Sequence, residues 1–377
     1  MLNIRHDKTL VFVKSSGNSE PAGANSVTPP GMSYNGITVG ALNKTFTQRA
    51  SFSSFSHGVN PIKPDIVAPG EYIVAPNSID TNNDGMVNDF SRGFLGEDYH
   101  NLGATTGDIT GTSFSAPHVS GAIALMQQYQ ALHAADHDAD HRVLKAIMLN
   151  QAHTNVQHNG GGAWAQGATG STAGQNLVVN RSLDTELGAG SLDVYDTLGL
   201  YSQKEAKASD NNTAQHTTIT PDTALWWDLE NVAGTNAGQN GTVDYLLPES
   251  LAGQAIRATL TFDIAGAVLP NLELRLYHEG SNDFNVLGFD QNNPLDDILI
   301  AQTLNAAENV KLFDFIVPNI GPGENMGYYL EVINLSNTAT TYGLAFVPEP
   351  ATVVILLTIC LIGIAHRPAA RRLFLAA

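Results

Sequence analysis

One serine in this chain, Ser113, has surroundings suited to nucleophilic chemistry. It lies in Gly111-Thr112-Ser113-Phe114-Ser115-Ala116-Pro117-His118-Val119-Ser120-Gly121, where a loop meets the apolar run Ala122-Ile123-Ala124-Leu125-Met126. Apolar residues on more than one face of that run predict a buried helix that holds Ser113 at a fixed, deep position. Small residues crowd the helix entrance, and Pro117 suits a first turn, where its missing N–H costs nothing. The free N–H groups of that turn would point at a negative charge developing beside the serine, as an oxygen nucleophile requires. Read on capping preference alone, the same residue is an N-cap serine on a core helix.

Two other stretches carry metal-ligating side chains. Asp80-Thr81-Asn82-Asn83-Asp84-Gly85-Met86-Val87-Asn88-Asp89 has the Asp-x-Asn-x-Asp-Gly spacing of the first half of a calcium loop, with Asp80, Asn82, Asp84 and Asp89 as donors. Ser91 stands where such a loop would close with glutamate, so Asp89 would have to serve in a shorter loop; the other reading is a solvated Asx-rich turn. Any calcium there is expected to be structural, and no cofactor is required for chemistry at Ser113. Between His133 and His141, histidines alternate with aspartates. His137 and His141 at i, i+4 spacing suit a transition metal on a helix, although as the connection between two helices the stretch reads better as a hydrated linker.

The elements that must position Ser113 are legible around it. Val11-Phe12-Val13 is a β-branched and aromatic strand running into Gly17-Asn18, where Asn18, taken alone, is a turn residue tolerant of left-handed φ. Ile37 to Leu42 reads as a short buried strand, and Ile62 to Gly70 as a proline-bracketed turn and strand. Val143 to Asn150 is a helix with Leu144, Ile147 and Met148 at helical spacing. Gln151 to Val179, rich in Gly, Ala, Asn and Gln, reads as an extended surface excursion. After the polar linker Ser202 to Thr218 the periodicity becomes alternating. Ala224–Leu229, Thr242–Leu247, Ile256–Phe262, Leu272–Tyr277, Val310–Ile316 and Gly327–Val332 predict an antiparallel β-sandwich with all its strands downstream of Thr218. Of the paired Trp226 and Trp227, one is expected in the core and one on the surface.

The 377 residues suffice for two domains plus appendages, and a 43% hydrophobic content supports a sizeable core. With 36 acidic against 18 basic side chains the formal net charge is -18, which argues against nucleic acid as a partner. The single cysteine, Cys360, excludes an internal disulfide. Asn3, Arg5, His6, Asp7 and Lys8 interrupt any apolar run that a signal peptide at Met1 would need.

The serine segment, Val11 to Asn18 and Ile62 to Gly70 together resemble the subtilisin-like serine peptidases. So do Tyr34 to Ala41, Phe52 to Ser56, Leu144 to Asn150 and Leu187 to Asp193, all in family order from about Val11 to Tyr195. The resemblance implies a Ser-His-Asp hydrolase in which Ser113 attacks a peptide carbonyl, while the Asn18 amide and the Ser113 N–H form the oxyanion hole. It also implies catalytic Asp and His segments ahead of the oxyanion-hole strand, where only seventeen residues precede Asn18. His6 and Asp7 lack the glycine-rich surroundings of those motifs, His118 is locked into the nucleophile helix, and His57 sits between strands. The expectation is therefore a C-terminal part of a subtilase that lacks the triad Asp and His and is inactive as written.

Beyond the sandwich, which resembles the jelly-roll-like modules of bacterial subtilases, Val347-Pro348-Glu349-Pro350 precedes an apolar run from Ala351 to Ala365 closed by Arg367, Arg371 and Arg372. These features resemble a PEP-CTERM sorting signal. That likeness implies export to the cell envelope or beyond, transient membrane insertion and processing by an exosortase. The expected fold is thus α/β: a partial subtilisin-like parallel-sheet domain (1–200), a linker (201–218), an antiparallel β-sandwich (219–346) and a sorting tail with a C-terminal apolar helix (347–372). The expected substrate is a protein or peptide; the competing class is a non-catalytic surface protein on a degenerate subtilase scaffold.

Overall fold

The computed structural model describes residues 8–19, 26–56, 61–73, 110–134, 137–171, 175–206, 214, 216–236, 240–247, 251–264, 270–278, 298–318 and 327–349. The Asp80–Asp89 run, His57 and the apolar tail from Ala351 lie outside these residues. No described helix is long and apolar enough to cross a membrane.

Three parallel strands open the fold: β1 (Val13–Ser15), β2 (Ile37–Leu42) and β3 (Ile66–Pro69), in the order β1-β2-β3. Val13 pairs with Ile37, and Val39 with Ile66. Every residue of Ile37–Leu42 is buried, as expected of a parallel strand covered on both faces. The segment after Leu187 runs alongside β3, with the Val67 N–H donating to Gly190 O and the Leu192 N–H to Val67 O.

Three helices follow among the described residues: α1 (Thr112–Leu132), α2 (His141–Asn150) and, after two strands described below, α3 (Val194–Tyr201). Asp140 caps α2, accepting from the Arg142 N–H. In α1, Pro117 is the sixth helical residue rather than a first-turn one. Lacking an N–H, it leaves the Ser113 carbonyl without its i+4 donor. The expected deep position of Ser113 is also corrected, because Ser113 is exposed while its neighbours Thr112 and Ser115 face the core.

The Gly-rich stretch read as a surface excursion instead supplies β4 (Gly167–Ser171) and β5 (Gln175–Arg181). The remaining strands are β6 (His216–Ile219), β7 (Trp226–Val232), β8 (Gly241–Leu247), β9 (Ala255–Phe262), β10 (Leu272–His278), β11 (Ile298–Thr303), β12 (Val310–Ile316), β13 (Tyr328–Asn334) and β14 (Thr340–Glu349). They form a seven-stranded sheet, β4-β5-β11-β10-β13-β8-β6, and a four-stranded sheet, β12-β9-β14-β7. The seven-stranded sheet is antiparallel in its middle, but β5 pairs with β11 and β6 with β8 in parallel. Strands from upstream of Thr218 therefore complete this sheet, contrary to the expectation that all lay downstream.

Between the two sheets lies a core that includes Trp226, Tyr245, Leu260, Leu274, Leu330 and Phe346. The outer face of the four-stranded sheet packs on α2, so Trp227, Leu229, Val310, Leu312, Ala345 and Val347 share one core with β2, β3 and the helices. Trp226 and Trp227 are accordingly both buried, each in a different core, because this sheet is covered on both sides. The linker is docked as well: the Ala206 N–H donates to Trp227 O at 2.8 Å, and the Trp227 indole N–H to Gln203 O at 3.0 Å.

Candidate active site

The C-terminal ends of β1 and β3 converge on the start of α1, the position at which open parallel sheets place their sites. From β1 the chain passes through Ser16 and Gly17 to Asn18. Gly17 has φ 113°, a left-handed conformation that a side chain would strain, and a Cβ there would also press on Ser54. At the end of β3, a Cβ on Gly70 would overlap Ser115 Oγ and Ala41, so glycine lets β3 lie flush against α1. The Gly111 N–H then donates to Gly70 O at 2.7 Å, tying the helix entrance to the sheet.

Thr112 joins these parts. Its N–H and its hydroxyl both donate to Asn18 Oδ1, each at 2.9 Å, and the hydroxyl accepts from the Gly17 N–H at 3.1 Å. Thr112 is buried. With Oδ1 so engaged, the Asn18 amide nitrogen faces the helix entrance, 3.2 Å from where a Cβ on Gly111 would stand, and donates to no described residue. The Ser113 hydroxyl also has no hydrogen-bond partner among the described residues, and first-turn N–H groups such as that of Ser113 have no intrahelical acceptor. Asn18 Nδ2 and the Ser113 backbone nitrogen therefore lie 3.2 and 3.8 Å from one point, the place of a Cβ on Gly111, at the helix entrance where Ser113 is exposed. Sequence reasoning missed Thr112 as the fastening between them; its only signal was its place immediately before the serine.

A buried charge cluster holds the sheet against α2. Asp65, just before β3, accepts from the Thr38 N–H of β2 at 2.7 Å and pairs with Lys63 at 2.5 Å and Lys145 of α2 at 3.0 Å. Lys145 also donates to the carbonyls of Tyr34 and Gly36. Burial pushes the Lys63 amine down to about 8, against the pull of Asp65. Burial alone would raise the Asp65 carboxyl, but Lys145 and Lys63 hold it below the usual carboxylate range.

Most of the other described histidines are engaged elsewhere. His137 lies among the rings of Tyr129, Tyr201 and Trp227, at centroid distances of 5.0, 5.4 and 5.7 Å. His141, the first residue of α2, bonds both oxygens of Asp263 at 2.9 Å. Residues 137–140 are not helical, so the i, i+4 spacing of His137 and His141 places no pair on one helix face. His158 bonds Asp184 at 2.8 Å and His153 bonds Asp193 at 2.8 Å. His118 is exposed on α1, about 7.5 Å further along the helix axis than Ser113.

The chain matches the model of the Subtilase family over residues 1–190, just over half of its length. Over 127 residues it is 31% identical to subtilisin BL and to subtilisin Savinase, both of Lederbergia lenta, covering 34% of this chain and 35% of each relative. It is also 31% identical over 127 residues to the alkaline protease of Alkalihalobacillus alcalophilus, covering 34% of this chain and 25% of that protein. The match thus spans about a third or less of these relatives' length. Among solved structures, the pre-peptidase C-terminal domain of a collagenase from Bacillus anthracis matches with a TM-score of 0.17 and 13% identity, over 36% of this chain and 99% of that chain. On the family match, which runs through both the Asn18 and the Ser113 segments, this chain belongs to the subtilase family.

Proposed function

We propose that the chain supplies the nucleophile and oxyanion site of a subtilisin-like serine endopeptidase acting on protein or peptide substrates. One observation carries this reading: Asn18, fastened through Oδ1 to Thr112, turns an amide with no acceptor among the described residues to the start of α1, where Ser113 is exposed. Ser113 Oγ attacks the scissile carbonyl carbon, and the carbonyl oxygen becomes an oxyanion that accepts from Asn18 Nδ2 and the Ser113 N–H. The intermediate collapses as the amine leaves, and water then hydrolyses the acyl group from Ser113. A base must take the serine proton and return it to the leaving amine. His141, His153 and His158 are held by carboxylates and His118 lies too far along α1, so none of these four is placed as the base, and on this reading the base and its orienting aspartate come from the Asp and His segments that the family carries. On this reading residues 1–377 without those segments are inactive.

Export to the cell envelope or beyond, with transient membrane insertion and exosortase processing, is part of the same proposal and rests on the Pro348-Glu349-Pro350 tail and its arginines. A structural calcium held by Asp80, Asn82, Asp84 and Asp89 rests likewise on sequence alone. The second reading, a non-catalytic scaffold, is favoured by the absence of a base beside Ser113 among the described residues.

The test is casein cleavage by the chain together with the segments that carry the family's Asp and His. Ser113→Ala should abolish cleavage. Asn18→Ala should lower turnover by about 10²–10³, the loss known for removing such an asparagine in a subtilisin, with little change in KM because the oxyanion exists only near the transition state. Equal cleavage by Ser113→Ala would remove Ser113 as the nucleophile, and no cleavage by any form would favour the scaffold.

A further inference from the structure

Beyond the β3 edge of the parallel sheet, three side chains that take no part in the proposed chemistry meet in one place. His153 is pinned by its backbone: its N–H donates to Ser191 O and its carbonyl accepts from the Ser191 N–H, each at 2.9 Å. Two residues after Ser191, Asp193 caps α3, its Oδ1 accepting from the Asp196 N–H at 2.8 Å while the Thr197 hydroxyl donates to Asp193 O. The cap draws Asp196 back beside Asp193 and leaves Asp193 Oδ2 facing His153 Nε2, 2.8 Å away. Asp196 Oδ2 stands 3.8 Å from the same nitrogen.

We propose that His153, Asp193 and Asp196 bind a divalent transition-metal ion of the zinc class, with a remaining coordination position open to water. One ligand atom from each residue lies within 4.8 Å of the other two, the one such group among the described residues. Bond lengths of about 2.0–2.2 Å in a tetrahedral site place ligand atoms roughly 3.3–3.6 Å apart. The 2.8 and 3.8 Å separations bracket that span, so small side-chain rotations suffice.

The charges point the same way. An ion pair between His153 and Asp193 is complete without Asp196, whose carboxylate makes no hydrogen bond to any described residue and is held against a like charge. A neutral imidazole and two carboxylates carry two negative charges, which one divalent ion balances. The nitrogen donor selects zinc or cobalt over calcium and magnesium, which prefer all-oxygen shells. The bond from the Asp196 N–H to Asp193 Oδ1 orients the Asp193 carboxylate, as outer hydrogen bonds do for metal ligands. His153 is 49% exposed, which provides an entry path and room for water.

The experiment is calorimetric titration of the full chain with zinc, with cobalt as a spectroscopic probe of tetrahedral ligation. His153→Ala and Asp196→Asn are the variants, since neither removes the Asp193 cap. The expected result is a zinc site in the wild type that weakens at least tenfold in both variants, resists competition by calcium, and raises the thermal midpoint of the wild type only. No saturable zinc binding up to millimolar concentration would overturn the proposal. So would zinc binding of equal affinity and stoichiometry in all three proteins, or displacement of the zinc by calcium at equal concentration.

Discussion

Helix α2 is covered on both sides, whereas α1, no less apolar in sequence, is covered on one. In α2 every residue from Val143 to Asn150 is buried between the parallel sheet and the four-stranded sheet. Even its polar residues are taken in: Lys145 reaches Asp65, and the Asn150 amide donates to the carbonyls of Arg257 and Ala345. In α1 only Thr112, Ser115, Val119, Ala122, Ile123 and Met126 are buried, while Ala124, Leu125 and Leu132 are exposed. Burial of a helix is thus set by what the topology lays against each face, and an all-round apolar pattern states only what the helix could bury. The exposed face of α1 carries Ser113 at its start, so under the proposed function the side open for substrate and base is the uncovered one.

If the four-stranded sheet is part of the first region's core, removing it should have the largest effect. Residues 1–206 expressed alone lose Trp227, Leu229, Val310, Leu312, Ala345 and Val347 from that core and should show no cooperative thermal transition by circular dichroism. A sharp melt in this fragment would break the comparison. Met148→Ala in α2 should cost about 2–5 kcal/mol in urea unfolding, the range for truncating a buried large side chain.

A smaller effect links the two regions through pH. Lys63 below the parallel sheet and Lys311 in β12 are both driven by burial to about 8. In the unfolded chain these amines keep their protons up to about 10.4. Between these values the unfolded state binds more protons, so stability rises with pH through the window from about 8 to 10.4. Lys63→Met and Lys311→Met should each flatten part of that rise in unfolding free energy measured against pH; a rise unchanged in both variants would contradict the burial argument. The smallest effect is expected for Leu125→Ala on the open face of α1, within about 0.5 kcal/mol. A cost like that of Met148→Ala would mean that this face is covered after all.

The parts of the molecule that were legible in the sequence are those fixed locally. Ser113 and Asn18 could be picked out because their segments keep the order and spacing of a known family, and β2 and α2 because their apolar patterns are self-contained. What escaped depended on distant partners. Gln175–Arg181 looks like part of a Gly-rich excursion until β11, more than a hundred residues later, supplies the edge on which it pairs. One of Trp226 and Trp227 reads as exposed because nothing local shows that α2 covers the outer face of their sheet. His137 and His141 are correctly spaced for a helical metal pair, but the helix begins only at His141. Thr112 announces nothing until folding brings Asn18, ninety-four residues earlier, to its hydroxyl.

The central claim, that Ser113 is the nucleophile of a subtilase active site, is tested most directly by labelling with a serine-reactive fluorophosphonate. The chain is combined with the segments bearing the family's Asp and His, and the adduct is located by peptide mass mapping. The account predicts one adduct, on Ser113, that is lost in Ser113→Ala and absent when residues 1–377 are labelled alone. An adduct on a different serine, or labelling that persists undiminished in Ser113→Ala, would contradict it.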